Sequence, residues 1–141
     1  MTKPLRPFHL AFPIYDITAT INWYKNTLGC KIGRQDKKWV DFDFFGHQIS
    51  GHLATKKNTI VQSNSVDGTE IPIRHFGIIL NLKDWEVLSE KLISDNIQFI
   101  IKPNTRFAGE KGEQHTFFIE DPNGNILEFK TFKNDTMIFD N

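Results

Sequence analysis

The chain repeats one order of secondary-structure signals in its two halves, and this repeat limits the folds that it can adopt. Residues 7–14 (PFHLAFPI) are strand-like and are followed by helix-like residues 16–28. Residues 73–80 (IRHFGIIL) are strand-like in the same way and precede a helix-like segment at residues 84–94. The amino-acid identity between the two halves is weak, so the comparison rests on the order of the predicted elements.

Each predicted helix has one apolar stripe, which is typical of a helix that packs against a core. Three strand-like runs follow each helix, with turn residues between them. The runs are residues 31–34, 39–44 and 48–54 in the first half, and residues 97–101, 115–119 and 126–132 in the second. Each half therefore predicts a β-α-β-β-β module.

The rest of the chain connects these modules. We expect one α+β domain over residues 1–141, with the modules at about 7–55 and 73–133. Residues 56–72 are polar and predict a linker, and residues 134–141 form a tail. Within the second module, residues 102–114 contain one proline and two glycines and predict a long loop.

Composition excludes several classes of protein. The 17 basic and 17 acidic residues balance, which leaves no large basic field for nucleic acid or an anionic membrane. The single cysteine, Cys30, excludes an internal disulfide framework and a cysteine-based zinc site. No long apolar run or signal-peptide core is present, so the sequence predicts a cytoplasmic protein without a membrane span.

Polar side chains collect on one face of the predicted strands, because residues two apart in a strand share a side. A merely solvated face would be rich in Lys and Glu, whereas this one holds three of the five histidines. The set is His9, Asp41, Asp43, Gln48, Ser50, His52, His75 and Glu128.

Three of these residues predict a metal site. His9 and His75 occupy equivalent positions in the two halves, and Glu128 lies in the last strand. Two histidines and one carboxylate form the facial triad that binds divalent transition metals. His52, near the end of its own module, is a candidate fourth ligand. The alternative is that each histidine is a hydrogen-bonded filler of a strand.

Three stretches resemble one known family. They are HLAFPIYDITATINWYKNTLGCKIG, IRHFGIIL and FFIEDPNGNILEFK, the last with a closing DPxGNxxE pattern. Over about residues 7–133 the sequence resembles the vicinal oxygen chelate superfamily, which includes glyoxalase I, bleomycin-resistance proteins and extradiol dioxygenases. The stretches WVDFDFFGHQISGHL and RFAGEKGEQHTFFIEDPNGNILEFK also resemble a small branch of predicted extradiol-type dioxygenases.

The resemblance implies a fold, a site and a partner. The fold is two βαβββ modules that form a curved mixed sheet around a central metal-binding cavity. His9, His75 and Glu128 are the implied ligands, and His52 falls where glyoxalase-like members place a further ligand. Family members often pair modules between chains, so we expect a homodimer.

Two positions depart from the larger extradiol dioxygenases. Those enzymes have a tyrosine where this chain has Phe118, and a catalytic histidine where this chain has a residue close to Gly109. His115 lies nearby, but strand alternation directs it away from Thr116 and Phe118 unless a bulge intervenes. The acid–base residues of ring cleavage are therefore not all matched.

The sequence predicts an enzyme, with two alternatives kept open. The first prediction is an extradiol-type dioxygenase that uses Fe(II) or Mn(II) on a small molecule with a vicinal diol. In this prediction His52 acts as fourth ligand or base, and His115 as a proton shuttle. The alternatives are a glyoxalase-like lyase or isomerase with Ni, Co or Zn, and a binding or resistance protein without turnover. Arg106, Glu110 and Glu113 either anchor an anionic substrate or belong to a solvated loop.

Overall fold

The chain folds into two compact α+β units, and each contains the predicted β-α-β-β-β order. The computed structural model describes residues 3–55 and 61–140. Unit 1 spans Met1–Thr59 and unit 2 spans Ile60–Asn141. None of the helices in the described ranges is long and apolar enough to cross a membrane.

Unit 1 is a four-stranded mixed sheet with one helix. Its strand order is β1-β4-β3-β2, and β1 pairs with β4 in parallel while the other pairs are antiparallel. The first and last strands of the module are therefore neighbours, which sets His9 opposite Gln48. The elements are β1 (His9–Ile14), α1 (Ile17–Asn26), β2 (Lys31–Gln35), β3 (Trp39–Phe44) and β4 (His47–Leu53).

Helix α1 covers the apolar face of this sheet. The Asp16 carboxylate caps the helix by accepting a hydrogen bond of 2.8 Å from the Ala19 backbone N–H. Tyr24 is fully buried, and its ring stacks on Phe42 of β3 with centroids 4.8 Å apart. The opposite face of the sheet is left with the polar side chains, as strand alternation predicts.

Unit 2 repeats this connectivity and adds a hairpin before it. The main sheet has the order β7-β10-β9-β8, again with the first and last strands paired in parallel. The elements are β5 (Ser63–Val66), β6 (Thr69–Pro72), β7 (Phe76–Ile79), α2 (Leu82–Ser94), β8 (Phe99–Arg106), β9 (Gln114–Glu120), β10 (Ile126–Phe132) and a short 3-10 helix (Asp135–Met137).

The hairpin β5–β6 corrects the prediction of a linker over residues 56–72. Residues 56–60 lie outside the described part of the chain, but most of the remainder forms the hairpin. Asp67 and Gly68 connect its strands with φ values of 48° and 86°. An Asp-Gly pair with two positive φ angles is the favoured connection of a two-residue hairpin. This turn signal outweighs the polar composition from which the linker was predicted.

The two faces of the unit 2 sheet are covered differently. On one face, the Trp85 indole of α2 donates a hydrogen bond of 2.9 Å to the Phe129 carbonyl. On the other face, Ile71 of the hairpin packs with Phe118 and Ile126. The hairpin therefore covers part of the face that the sequence predicts to be polar. The predicted loop over residues 102–114 is also shorter, because β8 continues to Arg106.

The DPNGN stretch is a turn organised by one carboxylate. Asp121 is buried, and its Oδ1 accepts hydrogen bonds from the backbone N–H groups of Asn123 and Asn125 at 2.8 and 2.9 Å. Its Oδ2 accepts from the Asn125 side-chain amide at 2.9 Å. The motif therefore joins β9 to β10 and sets the register that carries Glu128.

Replacing Asp121 by alanine is expected to lower the free energy of unfolding by about 2–4 kcal/mol, because several buried or half-buried donors lose a charged acceptor. Urea unfolding followed by circular dichroism measures the change. Glu120→Ala, at the neighbouring exposed carboxylate, is the control and should shift stability by less than about 0.5 kcal/mol. Equal effects of the two substitutions would contradict the role given to Asp121.

Cys30 is buried beside the start of β2, and its thiol is expected to be inert. Burial, with a smaller contribution from the charge of Asp43, raises the pKa of Cys30 from 9.0 to about 12. The folded protein should therefore react with a thiol reagent at pH 8 far more slowly than the urea-unfolded chain. Because the unfolded thiol ionises first, stability should fall as pH rises from 9 towards 12. A folded thiol that reacts at the unfolded rate would contradict this assignment.

Candidate metal centre

His75 and Glu128 form a close pair in unit 2. Their Nε2 and Oε1 atoms are 3.2 Å apart, and the two side chains are 24% and 13% exposed. The pair follows from strand pairing, since Gly77 of β7 lies opposite Glu128 of β10 and His75 comes two residues earlier. The sequence prediction that these two residues share a site is consistent with this distance.

Hydrogen bonds fix how the His75 ring is presented. Its Nδ1 lies 2.9 Å from the Pro72 carbonyl oxygen, which only accepts, so Nδ1 donates. In a neutral ring, Nε2 then carries a lone pair that faces a carboxylate oxygen. Two acceptors in this position call for a cation between or beside them, either a proton on the ring or a bound metal ion. A backbone carbonyl behind the ring is also the usual support of a metal-binding histidine.

Glu128 is oriented from its other side. The Thr116 hydroxyl of β9 donates a hydrogen bond of 2.7 Å to Glu128 Oε2. Thr116 is fully buried, so this bond forms where water does not compete with it. The carboxylate thus keeps Oε1 on the side of His75.

His9 has a comparable arrangement in unit 1. Its Nδ1 lies 2.8 Å from Oε1 of Gln48, an acceptor, so Nδ1 donates and Nε2 is left with its lone pair. The Gln48 amide is in turn 3.5 Å from the Asp41 carboxylate, which also accepts a hydrogen bond of 2.6 Å from Ser50. In both predicted ligand histidines, Nε2 is therefore the ring nitrogen left with a lone pair.

His52 is not brought to His9. His9 lies opposite Gln48, whereas His52 lies opposite Pro13 at the far end of β1. This separation of four residues corresponds to about 13 Å along a strand. The position in unit 1 that matches Glu128 is instead Ser50, which lies opposite the residue two after His9. His52 as a fourth ligand or base stays a prediction without support from this register.

His115 lies on the opposite face of its sheet from Glu128. Strands β9 and β10 pair without a bulge, and His115 lies opposite Thr131. Its Nδ1 is 2.8 Å from the Thr105 hydroxyl, and its ring lies 5.6 Å from that of Trp85 in α2. Its role as a proton shuttle to the His75–Glu128 pair therefore has no support from the sheet geometry.

Phe118 takes the position of the missing tyrosine and contributes packing alone. It is 1% exposed and packs with Ile71 of the hairpin. Its ring meets the His75 ring edge-on, with centroids 5.4 Å apart. Phe118 thus places an apolar ring beside His75 and, unlike a tyrosine, has no hydroxyl that could donate a proton.

The charged residues at the end of β8 fall into separate environments. Arg106 Nε lies 3.4 Å from the Asp67 carboxylate at the hairpin turn. Glu113 accepts a hydrogen bond of 2.7 Å from the Gly109 backbone N–H. Glu110 is exposed. Across residues 3–55 and 61–140, no group of three or more His, Cys, Asp or Glu side chains is arranged to hold a metal ion.

The repeated element order defines a class of protein built from βαβββ modules. The Glyoxalase/Bleomycin resistance protein/Dioxygenase superfamily matches residues 6–129, and the chain belongs to this family. No match was found among curated proteins.

Solved structures agree with this membership. A glyoxalase/bleomycin resistance protein/dioxygenase from Alicyclobacillus acidocaldarius is 34% identical, with a TM-score of 0.83 over 99% of this chain and 100% of that one. A fosfomycin resistance protein, FosX, from Listeria monocytogenes is 14% identical, with a TM-score of 0.64 over 97% and 98% of the two chains. A lactoylglutathione lyase from Agrobacterium tumefaciens is 17% identical, with a TM-score of 0.64 over 92% and 96%. The last two likenesses show the fold alone.

Proposed function

We propose that the protein is a divalent-metal-dependent enzyme of extradiol-dioxygenase type. Its substrate is a small molecule with two neighbouring oxygens, and its metal ligands are His9, His75 and Glu128. The observation that carries the proposal is the His75–Glu128 pair, whose Nε2 and Oε1 atoms lie 3.2 Å apart with the histidine tautomer set by Pro72. Cytoplasmic location and a homodimer remain predictions.

Each proposed ligand has a neighbour that orients it. The Pro72 carbonyl and the Gln48 amide oxygen accept from Nδ1 of His75 and His9 respectively, which leaves Nε2 as the donor atom toward a metal. Thr116 holds the Glu128 carboxylate. Fe(II) or Mn(II), when bound, would supply Lewis-acid polarisation and a template for two substrate oxygens.

The number of protein ligands supports a dioxygenase over a glyoxalase-like enzyme. In unit 1 the position matching Glu128 is Ser50, whose hydroxyl is a weaker ligand than a carboxylate or imidazole. His52 lies two same-face positions further along β4 than Gln48, which is opposite His9. A set of three ligands leaves open positions for both a substrate and O2.

A second candidate function has one observation in its favour. Phe118 gives the site no hydroxyl acid where the larger extradiol dioxygenases have a tyrosine. Proton transfer next to a carbonyl, as in a glyoxalase-like lyase or isomerase, would not need that group. Ni, Co or Zn would then be the expected metal.

Elemental analysis of protein purified without air, chelators or a metal-affinity column tests the proposal. Near-stoichiometric Fe or Mn, with oxygen uptake on a panel of catechols, is the expected result. Stoichiometric Ni, Co or Zn without oxygen uptake would favour the lyase or isomerase. Protein that contains no metal and takes up none on titration would contradict both and leave a binding protein.

A further inference from the structure

A cavity lies between the turn of the hairpin and the last residues of β8. Its volume is about 560 Å³, and it is lined by Asp67 and by residues 101–107. The wall is an outer strand of the sheet, since β8 pairs with β9 alone among the described strands. Space of this size suits part of a small organic molecule.

The cavity carries an excess of positive charge. Lys102 and Arg106 contribute two cations, and Asp67 contributes one anion. The Lys102 side chain is exposed and has no ion pair within the described ranges. Arg106 Nε lies 3.4 Å from Asp67 Oδ2, and its guanidinium carbon lies 5.1 Å from the centre of the Phe107 ring.

Asp67 and Phe107 restrict the guanidinium without using all its donors. An arginine has five N–H donors in a planar fork, and the described ion pair involves Nε. Holding the fork in place in advance lowers the entropy lost when an anion binds. Asp67 is 47% exposed, so an incoming anion can compete with it from solvent.

Arg106 shares a sheet face with the His75–Glu128 pair. It lies opposite Gln114, which is two residues from Thr116, and Thr116 bonds to Glu128 on that face. Two strand spacings across and four residues along the sheet separate the Cα atoms of Arg106 and Glu128 by about 16 Å. The hairpin spans the same interval, from Pro72 beside His75 to Asp67 beside Arg106.

We propose that this cavity binds the anionic end of an elongated substrate, a carboxylate or a phosphate, through Arg106 and Lys102. The inference rests on the proposed function, in which the other end of the substrate supplies two neighbouring oxygens to His75 and Glu128. It assigns to the substrate a charge that a simple catechol lacks. Asp67 holds Arg106 when the substrate is absent.

Titration of the full chain with inorganic phosphate and, separately, with succinate tests the proposal. Binding is followed by the NMR signals of the arginine side-chain Nε–H groups and of the Ile101–Phe107 backbone. We expect saturable binding that Arg106→Gln weakens at least 10-fold and that Lys102→Gln weakens about 3-fold. Asp67→Asn should strengthen binding about 3-fold or more, because it removes the competing carboxylate. The tighter of the two anions identifies the chemistry of the anionic end.

Lys91→Gln is the matched control, since it removes a cation of α2 that pairs with Asp95, the residue after the helix, and lies outside the cavity lining. It should leave the dissociation constants unchanged. Absence of saturable binding, or binding that Arg106→Gln and Lys91→Gln affect equally, would overturn the inference. Metal uptake is measured on the same samples, so a protein that binds metal but no anion refutes this inference and leaves the proposed function standing.

Discussion

Replacing Glu128 by glutamine is expected to reduce metal affinity by more than about 100-fold while the protein stays folded. The amide keeps the shape of the carboxylate, and its oxygen can still accept from the Thr116 hydroxyl. Its NH2 group can donate to His75 Nε2, which replaces a pair of facing acceptors by a hydrogen bond. What disappears is the negative charge that a divalent cation needs. The free energy of unfolding without metal should change by less than about 1 kcal/mol.

Metal titration followed by calorimetry, together with elemental analysis of the purified variant, measures this loss. Glu120→Gln is the control, because Glu120 is an exposed carboxylate at the end of β9 and contributes no side chain to the pair. It should bind metal like the unchanged protein. Full metal occupancy of Glu128→Gln would show that Glu128 is not a ligand.

Replacing Gly77 by alanine is expected to lower the free energy of unfolding by more than about 3 kcal/mol or to prevent folding. Gly77 lies opposite Glu128 in the parallel pair of β7 and β10. A Cβ at this position would overlap the Glu128 carbonyl oxygen, and backbone atoms cannot turn aside as a flexible side chain can. Strand β7 would have to move away from β10, and His75 would move away from Glu128 with it.

Urea unfolding of Gly77→Ala, with metal binding measured on whatever fraction folds, checks this expectation. Gly33→Ala is the comparison, since Gly33 is also a strand glycine but the atoms nearest to its added Cβ are those of Asp41, from 3.3 Å outwards. Its effect should stay within about 1 kcal/mol. An unchanged unfolding midpoint for Gly77→Ala would mean that the two strands are not in this register.

The sequence predicted the fold through its repeat, and it predicted through strand alternation which polar side chains share a face. Two β-α-β-β-β patterns of similar length leave few sheet topologies, and strand alternation put Asp41, Gln48 and Ser50 on one face. The structure shows these three in one hydrogen-bonded group beside His9. In unit 2, a histidine directly before β7 and a glutamate in β10 form a close pair.

Two features were not predicted from the sequence. One is the position of His52 along the sheet, which depends on strand register, and the other is the hairpin β5–β6, which depends on its turn. Alternation gives the face of His52 but not its distance along the sheet from His9, because the offset between β1 and β4 is fixed only when the strands pair. The hairpin was missed because the polar composition of residues 56–72 predicts a linker, whereas the Asp67-Gly68 pair predicts a hairpin turn. The cavity beside Arg106 depends on that hairpin and so was also out of reach.

The parallel pairing of the first and last strands of each module has a consequence for folding. His75 and Glu128 are 53 residues apart in the chain, so only a fragment of unit 2 that spans this whole interval contains both residues. Contacts of such long sequence separation form late, after the entropy of closing the chain has been overcome. If these two residues hold a metal ion, as proposed, the ion would bind only the completed module, and its affinity would add to the stability of the folded state by mass action. Metal supply would then determine how much folded protein accumulates as well as how active it is.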